Sequence, residues 1–391
     1  MNYFSQTIFK INMFQKFKYL FIPVLFLTFS SGVNAQSAIE DSVKAIMSRH
    51  PVVGLSVAVV KGNHLVYTHS FGFKNLETKV PLENKNIFRI ASISKSFTST
   101  GLMQLVQKKK ISLDDDVSDL VGFKIRNPKF PDKKITLRMV LSHTSSINDK
   151  EGYFTLDSIN PAKNPNWAGC YNDYEPGTQY QYCNYNYNIA GTILEKESGE
   201  RFDHYVYNHI LKPLKIYGGF NVNDLDSNLF AQIYEYNKDS SGFFHSPAAY
   251  ASRKNEIENY VMGYSTPVFS PAGGMKISAT GLSRYMQMHM DKGELDGTRI
   301  ISKKSERTMR KALSEKEHYG LGLLTTKNLI DGETMVGHTG GAYGLYSLMF
   351  FEPKKKFGIV IICNGCDPKY SNGFESVNRE VANELYKQVI K

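Results

Sequence analysis

Cysteine is scarce in this 391-residue chain: Cys170, Cys183, Cys363 and Cys366 are the only four. Three pairings are possible among four cysteines, and the sequence does not choose between them or between a disulfide and free thiols. The string Cys363-Asn-Gly-Cys366 has metal or redox spacing, but no second pair or histidine partner completes it, so no metal site is expected. Zinc-finger, RNP-like and P-loop strings are missing, as are internal repeats and low-complexity linkers. Beyond the N-terminal segment no run is apolar enough to span a bilayer. The formal net charge is +10, yet the positive residues are scattered. Their one run, Lys108–Lys110, falls at the end of an expected helix, where cations suit the macrodipole. No nucleic-acid partner and no cofactor are expected.

Acidic residues are absent from residues 1–35. Lys16 and Lys18 precede the apolar run "YLFIPVLFLTF", and "SSGVNAQ" follows with Val33 and Ala35 in a small-residue cleavage pattern. The segment reads as a signal peptide over residues 1–35, cut after Ala35, with Met13 as an alternative start. No cysteine stands near the cut to carry a lipid. Removing Lys10, Lys16 and Lys18 leaves residues 36–391 at 10 − 3 = +7. The expectation is an exported protein, periplasmic or secreted, with no stable membrane insertion and an open oligomeric state.

Strand patterns lie at both ends of the remaining chain. "VGLSVAVV" and "HLVYTHSFGF" flank "KGN", and "YSLMFFEP" and "FGIVIICN" flank "KKK". Each pair reads as a hairpin. "AIEDSVKAIMSRH" reads as an amphipathic first helix. Near the C-terminus, Phe374, Val377, Val381 and Leu385 step by three and four, giving one apolar helix face. The economical architecture is α+β, one antiparallel sheet built from both ends (about residues 36–90 and 320–391) and flanked by the terminal helices. A large helical region, about 90–320, is inserted between the halves, with a cleft at the junction.

"FRIASISKSF" puts Ser92 three residues before Lys95, at the head of a helix burying Phe97, Leu102, Leu105 and Val106. Residues three apart share a helix face. A serine is a weak nucleophile until a base takes its proton, and a desolvated lysine can be that base. Free N–H groups at a helix start suit a developing oxyanion. Downstream, "PGTQYQYCN" sets Tyr182 and Asn184 on a Pro-Gly-shaped loop just before another helix. "MVGHTGGAYG" offers a glycine-rich strand edge that a substrate can approach. His143 reads as a structural histidine at a helix end, and Asp114–Asp116 as a cap.

Together the three strings resemble the serine β-lactamase and penicillin-binding-protein superfamily, in its class C β-lactamase and DD-peptidase-like branch. Ser92-Ile-Ser-Lys95 matches the Ser-x-x-Lys motif, Tyr182-Cys-Asn184 the Tyr-x-Asn motif, and His338-Thr339-Gly340 the Lys-Thr-Gly or His-x-Gly motif. "LSHTSSI", "PGTQYQYCN" and "SPAGGMKIS" are similar to further family strings, and the likeness covers roughly residues 37–390. It implies a β-lactamase/transpeptidase-like fold and a Ser92 acyl-enzyme acting on a small-molecule or peptide substrate through a peptide, amide or ester bond. Lys95 is implied as proton acceptor and Tyr182 as partner base or proton shuttle, the order of the two being open at this point, and Asn184 as a ligand of Lys95 and the substrate amide. The N–H groups of Ser92 and Gly341 are implied as the oxyanion hole. His338, Thr339 and Gly340 are implied as the substrate-binding strand.

Two departures stand out. Cys183 replaces the usual serine of Tyr-Ser-Asn, with a small effect expected. His338 replaces the lysine of efficient class C β-lactamases, so a carboxylate substrate is expected to bind better as the imidazole protonates towards pH 6. Arg253 is the alternative source of that carboxylate contact. The competing readings are a D-alanyl-D-alanine carboxypeptidase or endopeptidase, a class C-like β-lactamase, and a silent β-lactam- or peptide-binding sensor. Loops 148–175 and 220–265 are expected to set the substrate.

Overall fold

The computed structural model describes residues 27–391, with side chains from Gln36 onward. Most of the expected targeting segment, residues 1–26, lies outside the described residues. Helix α1 (Leu27–Arg49) leads into strands β1 (Gly54–Lys61), β2 (His64–Asn75), β3 (Val80–Pro81) and β4 (Phe88–Arg89). A 3₁₀ turn, Ala91–Ile93, then opens helix α2 (Ser94–Gln107). The middle of the chain holds short helices and the longer Asn184–Ser198 and Ala279–Met290. It is less purely helical than its sequence suggests, because β5 (Gly218–Gly219), β6 (Tyr234–Asn237), β7 (Gly242–His245), β8 (Lys276–Ile277), β9 (Glu294–Leu295) and β10 (Thr298–Arg299) also lie there. Strands β11 (Leu324–Thr326), β12 (Met335–Ala342), β13 (Leu345–Glu352) and β14 (Phe357–Cys363) follow, then the C-terminal helix Ser376–Leu385.

The main sheet has the order β11-β12-β13-β14-β1-β2-β3 and is antiparallel throughout. The first and last parts of the chain meet where β1 pairs with β14, Leu55 opposite Cys363 through Lys61 opposite Phe357. Both hairpins form where the turn strings stand. Gly62 and Asn63 take positive φ in the first (57° and 67°), as a tight turn between twisted strands requires.

Alternation along the strands builds two cores. Leu55, Val57 and Val59 of β1, with Ile359 and Ile361 of β14, face α1 and the C-terminal helix. Ala58, Val60, Val360 and Ile362 face the inserted region. Both faces are covered, which is why these strands are nearly continuous apolar runs. The expected terminal-helix face is buried: Phe374, Val377, Val381 and Leu385 enter the first core beside Ile39, Val43 and Ile46 of α1. Each fully buried aliphatic there contributes about 1.5–3 kcal/mol. Among the described residues no helix is long and apolar enough to cross a membrane. All four cysteines are buried free thiols. Asp116 caps the helix Val117–Val121 by accepting from the Ser118 N–H, and it also pairs with Arg126. Lys108–Lys110 sit exposed just past the end of α2.

Candidate active site

Ser92 lies in the short turn between β4 and α2, and the turn is fastened from three sides. Ile90 N–H bonds to Met275 O at 2.9 Å, and Ser347 Oγ of β13 donates to Ile90 O at 2.9 Å. Ser94 Oγ donates to Ala91 O at 2.6 Å and accepts from Met275 N–H at 3.0 Å. Ser94 is therefore a staple, which separates the two serines of the motif into holder and candidate nucleophile. Ala91, just before Ser92, has φ of 47°, a conformation costly for a residue with a Cβ and tolerated here because its neighbours fix it.

Helix α2 begins one residue before Lys95, so its first turn carries that side chain under Ser92. Lys95 is fully buried. Its Nζ lies 3.0 Å from Ser92 Oγ, 2.9 Å from Asn184 Oδ1 and 2.9 Å from Ala272 O. The ring of Tyr182 covers it, 4.8 Å from Nζ to centroid. Burial disfavours the ammonium and brings the Lys95 pKa down from 10.5 to about 7, although the nearby Asp149 carboxylate pulls the other way. A neutral amine has two N–H donors and one lone pair. Two of its three neighbours are carbonyl oxygens, which only accept, so the amine donates to Asn184 and Ala272 and its lone pair is left for the Ser92 hydroxyl.

Asn184 opens the helix Asn184–Ser198, and its orientation is fixed from behind. Asp149 Oδ2 accepts from the Asn184 backbone N–H at 2.9 Å and from its side-chain Nδ2 at 3.0 Å. Asp149 Oδ1 accepts from Tyr185 N–H at 2.9 Å and from Cys183 Sγ at 3.2 Å. The carboxylate thus satisfies open N–H groups of the first helical turn and leaves only Oδ1 of Asn184 free to face Lys95. Cys183 is buried, and its thiol joins this support. Asp149 went unnoticed in the sequence. Its one signal is that it stands two residues after the "LSHTSSI" string.

Tyr182 is half-buried at the mouth. Burial raises its phenol pKa, tempered by a hydrogen bond with Ser92. His143, as expected, is structural: it is fully buried, its Nδ1 accepts from Cys183 N–H at 3.2 Å, and its ring packs 4.4 Å from that of Tyr182.

The third string lies along β12. β11 pairs only as far as Gly337, so from His338 onward this edge is open to the Ser92 turn. β12 and β13 are joined by the two-residue turn Tyr343–Gly344, closed by Ala342 opposite Leu345. Such a turn makes that pair hydrogen-bonded and the next, Gly341 opposite Tyr346, non-hydrogen-bonded. The Gly341 N–H therefore points away from β13, towards the open edge. At Gly340 a Cβ would fall 2.2 Å from Ile90 O and 2.4 Å from Ser347 Oγ, so only glycine lets the strand lie this close.

His338 corrects an expectation. It is 3 % exposed, its Nδ1 lies 2.5 Å from Thr339 O and its Nε2 lies 3.0 Å from Tyr319 Oη. The carbonyl can only accept, so Nδ1 carries the proton and Nε2 accepts from Tyr319. Burial, reinforced by nearby Lys95, lowers the pKa to about 3. The imidazole is neutral across the physiological range and cannot gain charge towards pH 6. Thr339 is half-exposed and Gly341 exposed. The mouth thus comprises Ser92, Tyr182, Asn184, Thr339 and Gly341, and the floor Lys95 and His338.

A serine hydroxyl on a fastened turn, against a desolvated lysine and beside an open strand edge, is equipped for acyl transfer. The family model described as Beta-lactamase matches residues 39–382. The chain belongs to the Beta-lactamase family. It is accordingly a serine hydrolase of the β-lactamase and penicillin-binding-protein type, with the β-lactamase/transpeptidase-like fold. Protein flp of Staphylococcus aureus (strain MRSA252) is 22% identical over 365 residues, 90% of this chain and 67% of that protein. The octameric penicillin-binding protein homologue from Pyrococcus abyssi superposes with a TM-score of 0.72 at 25% identity, over 91% of this chain and 78% of that one. The D-amino acid amidase from Ochrobactrum anthropi SV3 does so with a TM-score of 0.72 at 21% identity, over 91% and 99%.

Proposed function

We propose that this β-lactamase-family hydrolase works through a Ser92 acyl-enzyme on a small-molecule or peptide substrate with an amide, peptide or ester bond, after export to the periplasm or the medium. The observation that carries the reading is the Lys95 amine, buried, bonded to two carbonyl oxygens and 3.0 Å from Ser92 Oγ. Neutral Lys95 takes the Ser92 proton as Oγ bonds to the substrate carbonyl carbon. The carbonyl oxygen gains the electron pair and is held by the N–H groups of Ser92 and Gly341. When the tetrahedral intermediate collapses, the bond to the leaving group breaks and that group takes a proton from Lys95, relayed by Tyr182. Water then attacks the acyl carbon and gives its proton to Tyr182 and Lys95; the bond from that carbon to Ser92 Oγ breaks, Oγ takes a proton back from Lys95, and the acid is released. The raised Tyr182 pKa supports shuttle rather than resting base. Asn184, aimed by Asp149, holds Lys95 and meets the substrate amide. Thr339 and Gly340 present the strand edge, with His338 as its neutral support.

The test is intact-mass and peptide mapping after incubation with a fluorophosphonate and with a reactive ester. An adduct on the peptide containing Ser92, lost in Ser92→Ala, is expected. Labelling that persists in Ser92→Ala would overturn the assignment.

A further inference from the structure

Beside the Ser92 turn the fold encloses a second hollow of about 390 Å³. Both loops expected to set the substrate reach it, one through Phe154 and the other through Phe220, Val222 and residues 248–256. It adjoins the catalytic cluster by its construction. Arg89 of its wall stands three residues before Ser92, and Tyr343 two residues after Gly341. Gly273, which holds Arg89, follows Ala272, which holds Lys95.

Much of the wall is apolar, including Phe154, Phe220, Val222 and Phe269, but three cations stand in it: Arg89, Lys276 and Arg253. Arg89 and Lys276 are opposite each other in the β4–β8 ladder and are 9 % and 5 % exposed. Lys276 Nζ donates to Phe220 O at 2.7 Å. Arg89 donates from Nε to Gly273 O at 2.8 Å and from Nη2 to Ser270 Oγ at 3.4 Å, and its guanidinium carbon lies 4.9 Å from the Tyr343 ring centroid. Among the described residues no carboxylate pairs with either. The one acid on the wall, Glu256, is exposed and pairs with Arg253 at 3.0 Å. Burial, and then the neighbouring cations, hold the Lys276 pKa well below 10.5. The hollow by itself thus favours the neutral Lys276 amine, which an anion would help to protonate, and the buried Arg89 guanidinium, which stays charged, is costly without a counter-charge.

We propose that this hollow is the subsite for a free carboxylate on the substrate, carried by an amino-acid end with an apolar side chain, that the Arg89 and Arg253 guanidiniums supply the charge His338 lacks, and that Lys276 is a further donor. This rests on the Ser92 acyl-transfer reading. Arg89 bonds to Gly273 O, Ser270 Oγ and Tyr343, which leaves part of its five-donor planar fork for a carboxylate; Lys276 adds donors beside it, and Arg253 pairs with Glu256 at the exposed side. The phenylalanines take the side chain.

The experiment compares kcat/KM for an N-acetyl dipeptide ending in phenylalanine, both enantiomers, with that for its C-terminal N-methylamide. Wild type should favour the free carboxylate. In Lys276→Met and in Arg253→Gln the carboxylate-to-amide ratio should fall about tenfold or more, the scale of one charge-assisted hydrogen bond. In Glu256→Gln the ratio should rise. A purely structural loss would lower both substrates together and leave the ratio alone. Calorimetry of the same dipeptide acid on Ser92→Ala, and on Ser92→Ala with Lys276→Met, reads the hollow without catalysis. Binding that weakens about tenfold on adding Lys276→Met supports the subsite even if wild type is never acylated. An unchanged ratio in all three variants, together with unchanged binding, rejects the subsite while leaving Ser92 acylation intact.

Discussion

The burial of Lys95 sets the acid limb of the pH–rate profile. A fall in pKa from 10.5 to about 7 corresponds to about 5 kcal/mol of destabilisation of the ammonium relative to the amine. At neutral pH an ordinary lysine is free base in fewer than about one molecule in a thousand, whereas Lys95 is free base in about half. One pH unit lower, about a tenth remains able to accept the Ser92 proton. The assay is kcat/KM for an uncharged ester between pH 5 and 9 at constant ionic strength, so that the substrate does not titrate. The profile should rise with unit slope to a midpoint near 7 and then level. Stability provides a second readout. The unfolded lysine keeps its proton to about 10.4, whereas the folded one releases it near 7. Between these values the unfolded state binds the extra proton, and unfolding free energy rises with pH. Lys95→Met should remove that rise and abolish most of the turnover. A rate profile flat from pH 5.5 to 8, or an unchanged acid limb in the residual activity of Lys95→Met, would refute the assignment of Lys95 as the base.

Three further outcomes follow from the same geometry. Asp149→Asn removes a charge that raises the Lys95 pKa and loosens the grip on Asn184; kcat should fall while the acid limb moves to lower pH, and a limb that stays put would count against Asp149 as a positioning residue. Gly340→Ala forces a Cβ within 2.2 Å of Ile90 O, so it should cut fluorophosphonate labelling of Ser92 at least about tenfold and lower the melting temperature, as overpacking costs about 1–3 kcal/mol. Because the His338 pKa is about 3, any pH dependence between 6 and 8 of the kcat/KM ratio of a carboxylate substrate to its neutral analogue should be the same in wild type and His338→Gln; a rise towards pH 6 that disappears in His338→Gln would show that the imidazole does titrate.

Much of the fold was legible because alternation and helical spacing are local properties. The hairpin turns at Gly62–Asn63 and before Lys356, and the Phe374–Leu385 face, all stand where the one-dimensional pattern puts them. The pairing of β1 with β14 could be inferred only from economy, since strands whose partners stand 296 (357 − 61) to 308 (363 − 55) residues apart carry no local sign of being neighbours. The short strands β4 to β8 escaped notice because two to four residues are too few to show a period.

At the site, the spacing of Ser92 and Lys95 determined by itself that a hydroxyl and an amine would share one helical turn. The motif resemblance supplied Tyr182, Asn184 and the His338–Gly341 strand. Tertiary structure alone decided the chemistry of those groups, because a pKa depends on everything that surrounds a charge. The same enclosure that makes Lys95 a usable base makes His338 a neutral strut, and nothing in the string His-Thr-Gly-Gly distinguishes an exposed imidazole from a buried one. Asp149, Ala272, Arg253 and Lys276 come from distant parts of the chain, and folding alone brings them to Asn184, Lys95 and the Ser92 turn.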